Sequence, residues 1–311
     1  MVVYGLFSCN FAGTMKNNER LKGAIIVALG AISYGILATI VKYCNQQGFH
    51  TATLTFLQYV IGAVFLMVYP FLSRGKEMTK IAVTPKSKIK LIAFGLSMGV
   101  TSSLYYLSIQ FIPVSMGIIL LMQCIWMSVL LETLILKTKV EAVKVMSTIL
   151  VIGGTLLATN IIFESAAINW WGILLGLGAA LSYTITLFAS SHIELKIPGV
   201  LRSKYLVMGG LIATVIFWNT DIICGMNSFS LLKWGLILGV FGTIIPPLLF
   251  TKGIPMTGIG LGGIIAAIEI PVSISSAAFI LHESVTGWQW LGVVIIICSV
   301  IVANLKSVRT A

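Results

Sequence analysis

The residue best placed to do chemistry is an acid in the middle of a long apolar run. Glu269 lies about 13 residues into the segment 256–282, which is otherwise almost entirely apolar or small. An ionised carboxylate is costly in hydrocarbon unless it is solvated or paired, so its side chain must face the protein interior. It can act there as a proton-titrating or cation-pairing group, because desolvation disfavours its charged form. The alternative is a permanently protonated Glu269 that joins two helices by a hydrogen bond.

Three prolines in the same half of the chain predict points where helices bend. Pro271 has no N–H and frees a carbonyl in the preceding turn, which predicts a kink beside Glu269. Broken helices at mid-depth are a usual component of transporter sites. Pro246 and Pro247 indicate a second hinge. Proline also occurs in membrane helices without a special role, so this alternative stays open for all three.

A second polar position occurs at the equivalent depth of an earlier apolar run. Gln123 and Trp126 are three residues apart and share one face of a helix. Together they can line a pocket with one amide and one large aromatic surface. A core-packing role for Trp126 is the open alternative.

Hydroxyl groups occur near the middle of two other runs and crowd a third. Those near the middle are Ser33, Tyr34, Ser182 and Tyr183, and those of the third run are Ser102, Ser103, Tyr105 and Tyr106. A helix cannot direct all of these toward one pathway, so we expect roughly half of them to form interhelical hydrogen bonds. The substrate-pathway candidates among them are Ser33, Tyr34, Ser102, Tyr105, Tyr106, Ser182 and Tyr183.

The composition identifies the elements that must position these residues. Hydrophobic residues make up 58% of the 311 residues and charged residues only 9%, with a mean hydropathy of +1.04. A membrane span needs about 20 apolar residues, and only helices or closed barrels satisfy their backbone in lipid. The runs are long and continuous, which predicts helices. Ten spans are predicted at residues 22–43, 51–72, 88–109, 112–136, 141–162, 170–191, 200–219, 231–252, 256–282 and 287–305.

The basic residues predict the orientation of these spans. A net charge of +11 also suggests a nucleic-acid binder, but that class needs basic residues clustered on one face, and here they lie between the apolar runs. With both termini in the cytoplasm, 18 of the 20 basic residues fall inside and only Lys42 and Lys233 fall outside. The outer ends of the spans are also rich in tryptophan, namely Trp170, Trp171, Trp218, Trp234, Trp288 and Trp290.

The two halves of the chain repeat the same pattern. Gly23 precedes Tyr34 by eleven residues, and Gly172 precedes Tyr183 by the same interval. The pairs Ile112-Pro113 and Ile254-Pro255 open spans four and nine, and paired glycines occur in spans three (Gly95, Gly99) and eight (Gly235, Gly239). Five spans per half is an odd number, so the second repeat must enter the membrane from the opposite side.

This organisation divides the chain into four parts. They are a cytoplasmic extension (1–21), a first repeat (22–163), a second repeat (164–306) and a cytoplasmic tail (307–311). Inverted repeats place a solute site near the bilayer midplane, where the halves meet. Met1 and Met15 are both candidate translation starts.

The order and spacing of these motifs resemble the EamA family of the drug/metabolite transporter superfamily, ten-helix exporters built from two five-helix repeats. The resemblance covers nearly all of the chain from about residue 20 and includes Glu269-Ile270-Pro271 and His282-Glu283. The first half departs from it, with Gln123-Cys124-Ile125 and Lys137 at the corresponding positions. The resemblance implies an exporter of amino acids or related metabolites; short loops favour a bacterial inner membrane.

The sequence therefore predicts a secondary transporter rather than an enzyme, with a small-molecule solute, membrane lipid and a coupling proton as partners. The five cysteines are scattered, so we expect no metal, and no P-loop occurs, so we expect no ATP to drive the cycle and no cofactor. The spread of the basic residues between the apolar runs argues against a nucleic-acid partner. The oligomeric state, the substrate and the coupling ion stay open. Two other classes are a membrane-embedded enzyme acting on a lipid-linked substrate and a passive channel. Short loops disfavour the enzyme, and the scarcity of ionisable residues deep in the spans disfavours the channel.

Overall fold

Every regular element that the structure describes is helical, which confirms the predicted all-α membrane class. The computed structural model describes residues 2–72, 83–112, 114–136, 142–158, 169–224, 230–280, 282 and 285–309. Three residues used in the sequence comparison, Pro113, Lys137 and Glu283, lie outside these ranges. The predicted extension, residues 1–21, contains the beginning of the first helix, which starts at Val2.

The helices follow one another along the chain with short connections. They are α1 (Val2–Gln46), α2 (Thr51–Leu72), α3 (Pro85–Phe111), α4 (Val114–Leu121), α5 (Cys124–Leu136), α6 (Ala142–Ala158), α7 (Trp170–His192), α8 (Gly199–Trp218), α9 (Asp221–Cys224), α10 (Ser230–Leu238), a π segment (Gly239–Ile244), α11 (Ile245–Thr257), α12 (Ile259–Ala266), α13 (Glu269–Ile280) and α14 (Gly287–Arg309).

Within the described ranges, seven helical segments are long and apolar enough to cross a membrane. Three further apolar helices are shorter, and they fall in predicted spans four, five and ten. The chain is thus a multi-pass membrane protein, because apolar helices of this length bury their backbone polar groups within themselves.

Two predicted spans are interrupted near their middle. A turn at Met122 and Gln123 separates α4 from α5, and a turn at Ala267 and Ile268 separates α12 from α13. In both turns an N–H bonds the carbonyl three residues back, at 3.1 Å for Gln123 to Leu120 and 3.1 Å for Ile268 to Ile265. Pro271 accounts for the second break, because its ring would clash with the Ala267 carbonyl in a continuous helix. Residues 118–126 contain no proline or glycine, so the first break has no such local cause.

The π segment is a consequence of the two prolines that follow it. Ile245 donates its N–H to Val240, five residues back, and Pro246 and Pro247 have no N–H to donate. The Phe241 carbonyl therefore lacks a backbone donor within its own helix. Ser33 of α1 supplies one, because its hydroxyl donates to this carbonyl over 2.7 Å.

Packing pairs helices from the two halves of the chain. Helix α3 lies against α7 and α8, while α1 lies against α11 and α13, α2 against α8, and α6 against α14. Gly95 and Gly99 permit the close approach of α3 to α8, because a Cβ at either position would collide with the carbonyl of Leu206 or of Gly210. Small residues bring membrane helices into this kind of backbone contact.

The six tryptophans predicted for the outer interface differ in exposure, and Trp234 is half-buried with its ring 5.4 Å from that of Tyr43 between centroids. Trp170, Trp171, Trp288 and Trp290 are all exposed. Trp218 is buried at the end of α8, where its ring meets Phe217 edge-on at 5.3 Å between centroids. The interface preference of tryptophan fits the four exposed residues, and Trp218 instead packs inside the protein.

A buried arginine joins three helices at the carboxyl end of α7. Arg202 of α8 is only 2% exposed. Its guanidinium donates to four backbone carbonyls, those of Ala189, Ser190, Ile193 and Thr251. The last turn of a helix leaves carbonyls without partners and carries a partial negative charge, so a guanidinium is well suited to that position.

Candidate functional site

A cavity of about 90 Å³ lies between α1, α3, α4, α7 and α13. It is smaller than the roughly 300–1,000 Å³ of drug-sized pockets, so it suits a small solute or a few waters. It is lined by Tyr34, Leu37, Met98, Thr101, Ser102, Tyr105, Tyr106, Ile118, Leu121, Met122, Tyr183, Thr186, Glu269, Ile270 and Ser273.

Four tyrosine rings form much of the cavity wall. Tyr34 and Tyr183, the repeated tyrosines of α1 and α7, meet edge-on with centroids 6.4 Å apart. Tyr105 and Tyr106 of α3 lie 5.8 Å apart. The hydroxyl of Tyr183 is buried and has no hydrogen-bond partner in the described part of the chain.

Glu269 is the first residue of α13, immediately after the break in its span. Its side chain lines the cavity, and its Oε2 atom is buried without a hydrogen-bond partner among the described residues. Buried polar atoms are nearly always satisfied in folded proteins, and a buried charge without a partner is costly. Two residues that each have an unsatisfied buried polar atom, Glu269 and Tyr183, therefore line one cavity, which is the arrangement expected of a site completed by a solute or a proton.

The backbone of α1 approaches Glu269 closely at a glycine. A Cβ added at Gly35 would lie 2.7 Å from the Glu269 carbonyl oxygen and 2.7 Å from Cβ of Val272. A methyl group there cannot be accommodated without moving α1 away from the start of α13.

Gly35→Ala is therefore expected to destabilise the protein by about 1–3 kcal/mol, as overpacking usually does. Gly153→Ala in α6 is the control, because nothing lies within 4 Å of a Cβ there and alanine favours a helix over glycine. Thermal unfolding of the two variants in the same detergent measures the difference. Equal midpoints would show that α1 and α13 adjust without strain.

The residues predicted for the substrate pathway separate into two sets. Tyr34, Ser102, Tyr105, Tyr106, Tyr183 and Glu269 line the cavity. Ser33 and Ser182 lie outside the lining, and each donates to a carbonyl of another helix, that of Phe241 over 2.7 Å and that of Ser97 over 2.8 Å. Gln123 and Trp126 are also outside it, joined by a 2.8 Å hydrogen bond from the indole.

The predicted hinge residues are not part of the cavity wall. Pro271 lines a separate apolar groove between α1, α13 and α14, which Trp290 also lines. Pro246 and Pro247 are buried at the start of α11, next to the π segment.

Several cavity residues were not selected from the sequence. Thr186 lies one helical turn after Tyr183 on the same face, so that spacing was a usable signal. Met98, Thr101 and Ser273 gave no comparable signal, because a threonine, serine or methionine in an apolar helix occurs on any face.

An ion pair near the break between α11 and α12 also escaped the sequence analysis. Lys144 and Glu132 lie 3.1 Å apart, and their side chains are only 14% and 12% exposed. The Glu132 carboxylate packs against the backbone at Gly258 and Gly260, and a Cβ added at Gly260 would collide with it. Gly258 has a φ of 84°, a conformation that glycine adopts without strain. The pair therefore joins α5 and α6 to the start of α12.

Broken helices around a cavity within the membrane are a usual feature of the solute sites of membrane transporters. The sequence model described as the EamA-like transporter family matches residues 21–160 and again residues 170–305. The chain therefore belongs to the EamA-like transporter family, and the resemblance noted from the sequence is confirmed.

One solved structure, a crystal structure of another protein, shares this fold. The TM-score is 0.74, the alignment covers 93% of this chain and 98% of the other, and the sequences are 13% identical. At that identity the likeness shows the fold alone. A search of curated proteins finds no match to this chain.

Proposed function

We propose that the protein is a secondary transporter that exports a small organic metabolite, an amino acid or related compound, across the cytoplasmic membrane by alternating access. The observation that carries this proposal is the cavity beside Glu269, which is bounded by helices from both halves of the chain. Membership of a transporter family supports it. Coupling to protons through Glu269 is part of the proposal, because an acid that changes state during the cycle links solute movement to a proton gradient.

The proposal includes ten spans in two inverted repeats with both termini in the cytoplasm. Two observations support it. The interrupted spans are the fourth and the ninth, which correspond in the two halves. The first span packs against the eighth (α1 on α11), and the sixth packs against the third (α7 on α3). A two-fold axis in the membrane plane that exchanges the two halves turns span one into span six and span eight into span three, so it relates these two contacts.

The arrangement is tested by labelling single cysteines in intact cells. Cysteines at Lys80 and Lys196 are expected to resist a membrane-impermeant maleimide, whereas cysteines at His50 and Asn219 are expected to react. The 3.5 Å ion pair between Lys90 and Glu194 supports placing the start of α3 and the end of α7 on one side. Residues 80 and 196 in opposite compartments would overturn the inverted arrangement.

The transport function is tested by comparing metabolites inside and outside cells that overexpress the protein with those of cells carrying the empty vector. We expect at least one small metabolite to accumulate in the medium only when the protein is present. That metabolite is then tested for saturable counterflow in proteoliposomes, which distinguishes a carrier from a channel. A metabolite profile unaffected by overexpression, with no counterflow of the solutes tested, would contradict the proposal.

A further inference from the structure

We propose that the cavity binds a small organic cation, whose ammonium group lies among the tyrosine rings with the Glu269 carboxylate as its counter-ion. This inference rests on the proposed transport function and deepens it, because it names the chemical class of the solute. Three properties of the cavity carry it: its charge, its aromatic rings and its unsatisfied atoms.

The charge of the cavity wall has one sign. Glu269 is the only acid among the fifteen described lining residues, and none of the fifteen is a lysine, an arginine or a histidine. The buried Oε2 of Glu269 has no partner in the described residues. A buried charge is tolerated when an opposite charge pairs with it, so a bound cation completes the site. A bound anion would instead face the carboxylate with no positive charge in the cavity wall.

The aromatic rings favour the same kind of ligand. A cation within about 6 Å of an aromatic centroid is attracted to the face of the ring. Tyr34 and Tyr183 lie 6.4 Å apart with an angle of 82° between their planes, and Tyr105 and Tyr106 lie 5.8 Å apart at 54°. Rings set at such angles present faces in several directions around one small space. An alkylated ammonium makes few demands for hydrogen bonds and suits such a wall.

Two of the lining hydroxyls are already engaged and do not donate to a second, negative group on the solute. Thr101 donates to the Ser97 carbonyl over 2.7 Å, and Thr186 donates to the Ser182 carbonyl over 3.2 Å. The carboxylate of an amino acid would need donors or a cation in this cavity. Tyr183 is the lining residue with a buried, unpartnered hydroxyl. Because the wall holds no lysine, arginine or histidine to pair with a carboxylate, the solute that fits best is an amine related to an amino acid but without its carboxylate.

The test is calorimetric titration of the purified, full-length protein with three probes of similar size. Choline is the cation, 3,3-dimethylbutan-1-ol is its neutral isostere, and glycine betaine adds a carboxylate. We expect choline to bind at least about tenfold more tightly than either of the other probes. Tetramethylammonium, a smaller cation, serves as a second positive probe.

Variants separate the contributions of charge and ring. Glu269→Gln is expected to weaken choline binding by at least about tenfold. Glu194→Gln leaves it unchanged, because Glu194 pairs with Lys90 away from the cavity. Tyr105→Phe retains the ring and binds within about twofold of the parent protein, whereas Tyr105→Leu removes the ring and binds about threefold more weakly or worse. If Glu269→Gln does not fold, the comparison of Tyr105→Phe with Tyr105→Leu decides the test.

Two outcomes would overturn this inference. One is equal affinity for choline and its neutral isostere. The other is the absence of binding by both choline and tetramethylammonium. If cells export a neutral or anionic metabolite and no cation binds, the proposed transport function survives and the cation site does not. If choline binds but no solute shows counterflow, the cation site survives and the transport function does not.

Discussion

Replacement of Glu269 by glutamine is expected to reduce pH-gradient-driven flux in proteoliposomes to the level of protein-free liposomes. Glutamine has nearly the same shape as glutamate but neither exchanges a proton nor carries a charge at neutral pH. Glu269 lines the cavity, and its buried Oε2 atom has no partner in the described residues. The measurement uses the metabolite identified by the export experiment, with an imposed pH gradient as the driving force.

The matched control for this variant is Glu194→Gln. Glu194 lies after α7 and pairs with Lys90 at 3.5 Å, away from the cavity. Its replacement also removes one acid but is expected to leave the flux unchanged, since Glu194 is not among the residues that line the cavity. Equal flux in Glu269→Gln and the parent protein would refute proton coupling through Glu269.

Replacement of Arg202 by methionine is expected to lower the stability of the protein by about 3 kcal/mol or more. Four backbone carbonyls would lose the donor that the guanidinium provides, at a position only 2% exposed. Arg202→Lys retains the charge but cannot reach carbonyls on two helices at once, so we expect an intermediate loss. Thermal unfolding in detergent, at a fixed scan rate, measures these differences.

A neighbouring basic residue on the same helix provides the comparison. Lys204 is partly exposed, and its ammonium lies 5.5 Å from the centroid of the Tyr205 ring. Lys204→Met is expected to stay within about 0.5 kcal/mol of the parent protein, as surface substitutions usually do. If Arg202→Met and Lys204→Met unfold at the same temperature, the carbonyls at the end of α7 do not depend on Arg202.

The sequence was most informative about how deep a residue lies in the membrane and least informative about which way its side chain faces. Hydropathy placed Glu269, Tyr34 and Tyr183 near mid-span, and six of the predicted pathway residues line the cavity. It did not distinguish Tyr34 from Ser33, which donates to Phe241 instead. A helix that is apolar all round has no clear periodic pattern, so its orientation about its own axis depends on packing with its neighbours.

The breaks in the helices show the same limit. Pro271 predicted a kink beside Glu269 because proline changes the backbone whatever its surroundings, and α13 begins close to it. The break at Met122 and Gln123 has neither proline nor glycine near it, so only the three-dimensional packing reveals it. The ion pair of Glu132 with Lys144 could not be predicted from the sequence for a related reason. Its partners belong to two different helices, and the sequence does not specify how those helices lie against each other.

The hydrogen bond from Ser33 to Phe241 connects bending of the eighth span to the wall of the cavity. Its donor is adjacent in sequence to Tyr34, and its acceptor lies in the π segment just before Pro246. Helix α1 also packs against α11, beyond these prolines. A swing of α11 at the prolines must therefore either leave α1 behind or carry it along and stretch the bond to Phe241. Tyr34, which contacts Phe250 of α11, would then shift against Glu269, so a tilt of one helix changes the shape of the space available to the solute.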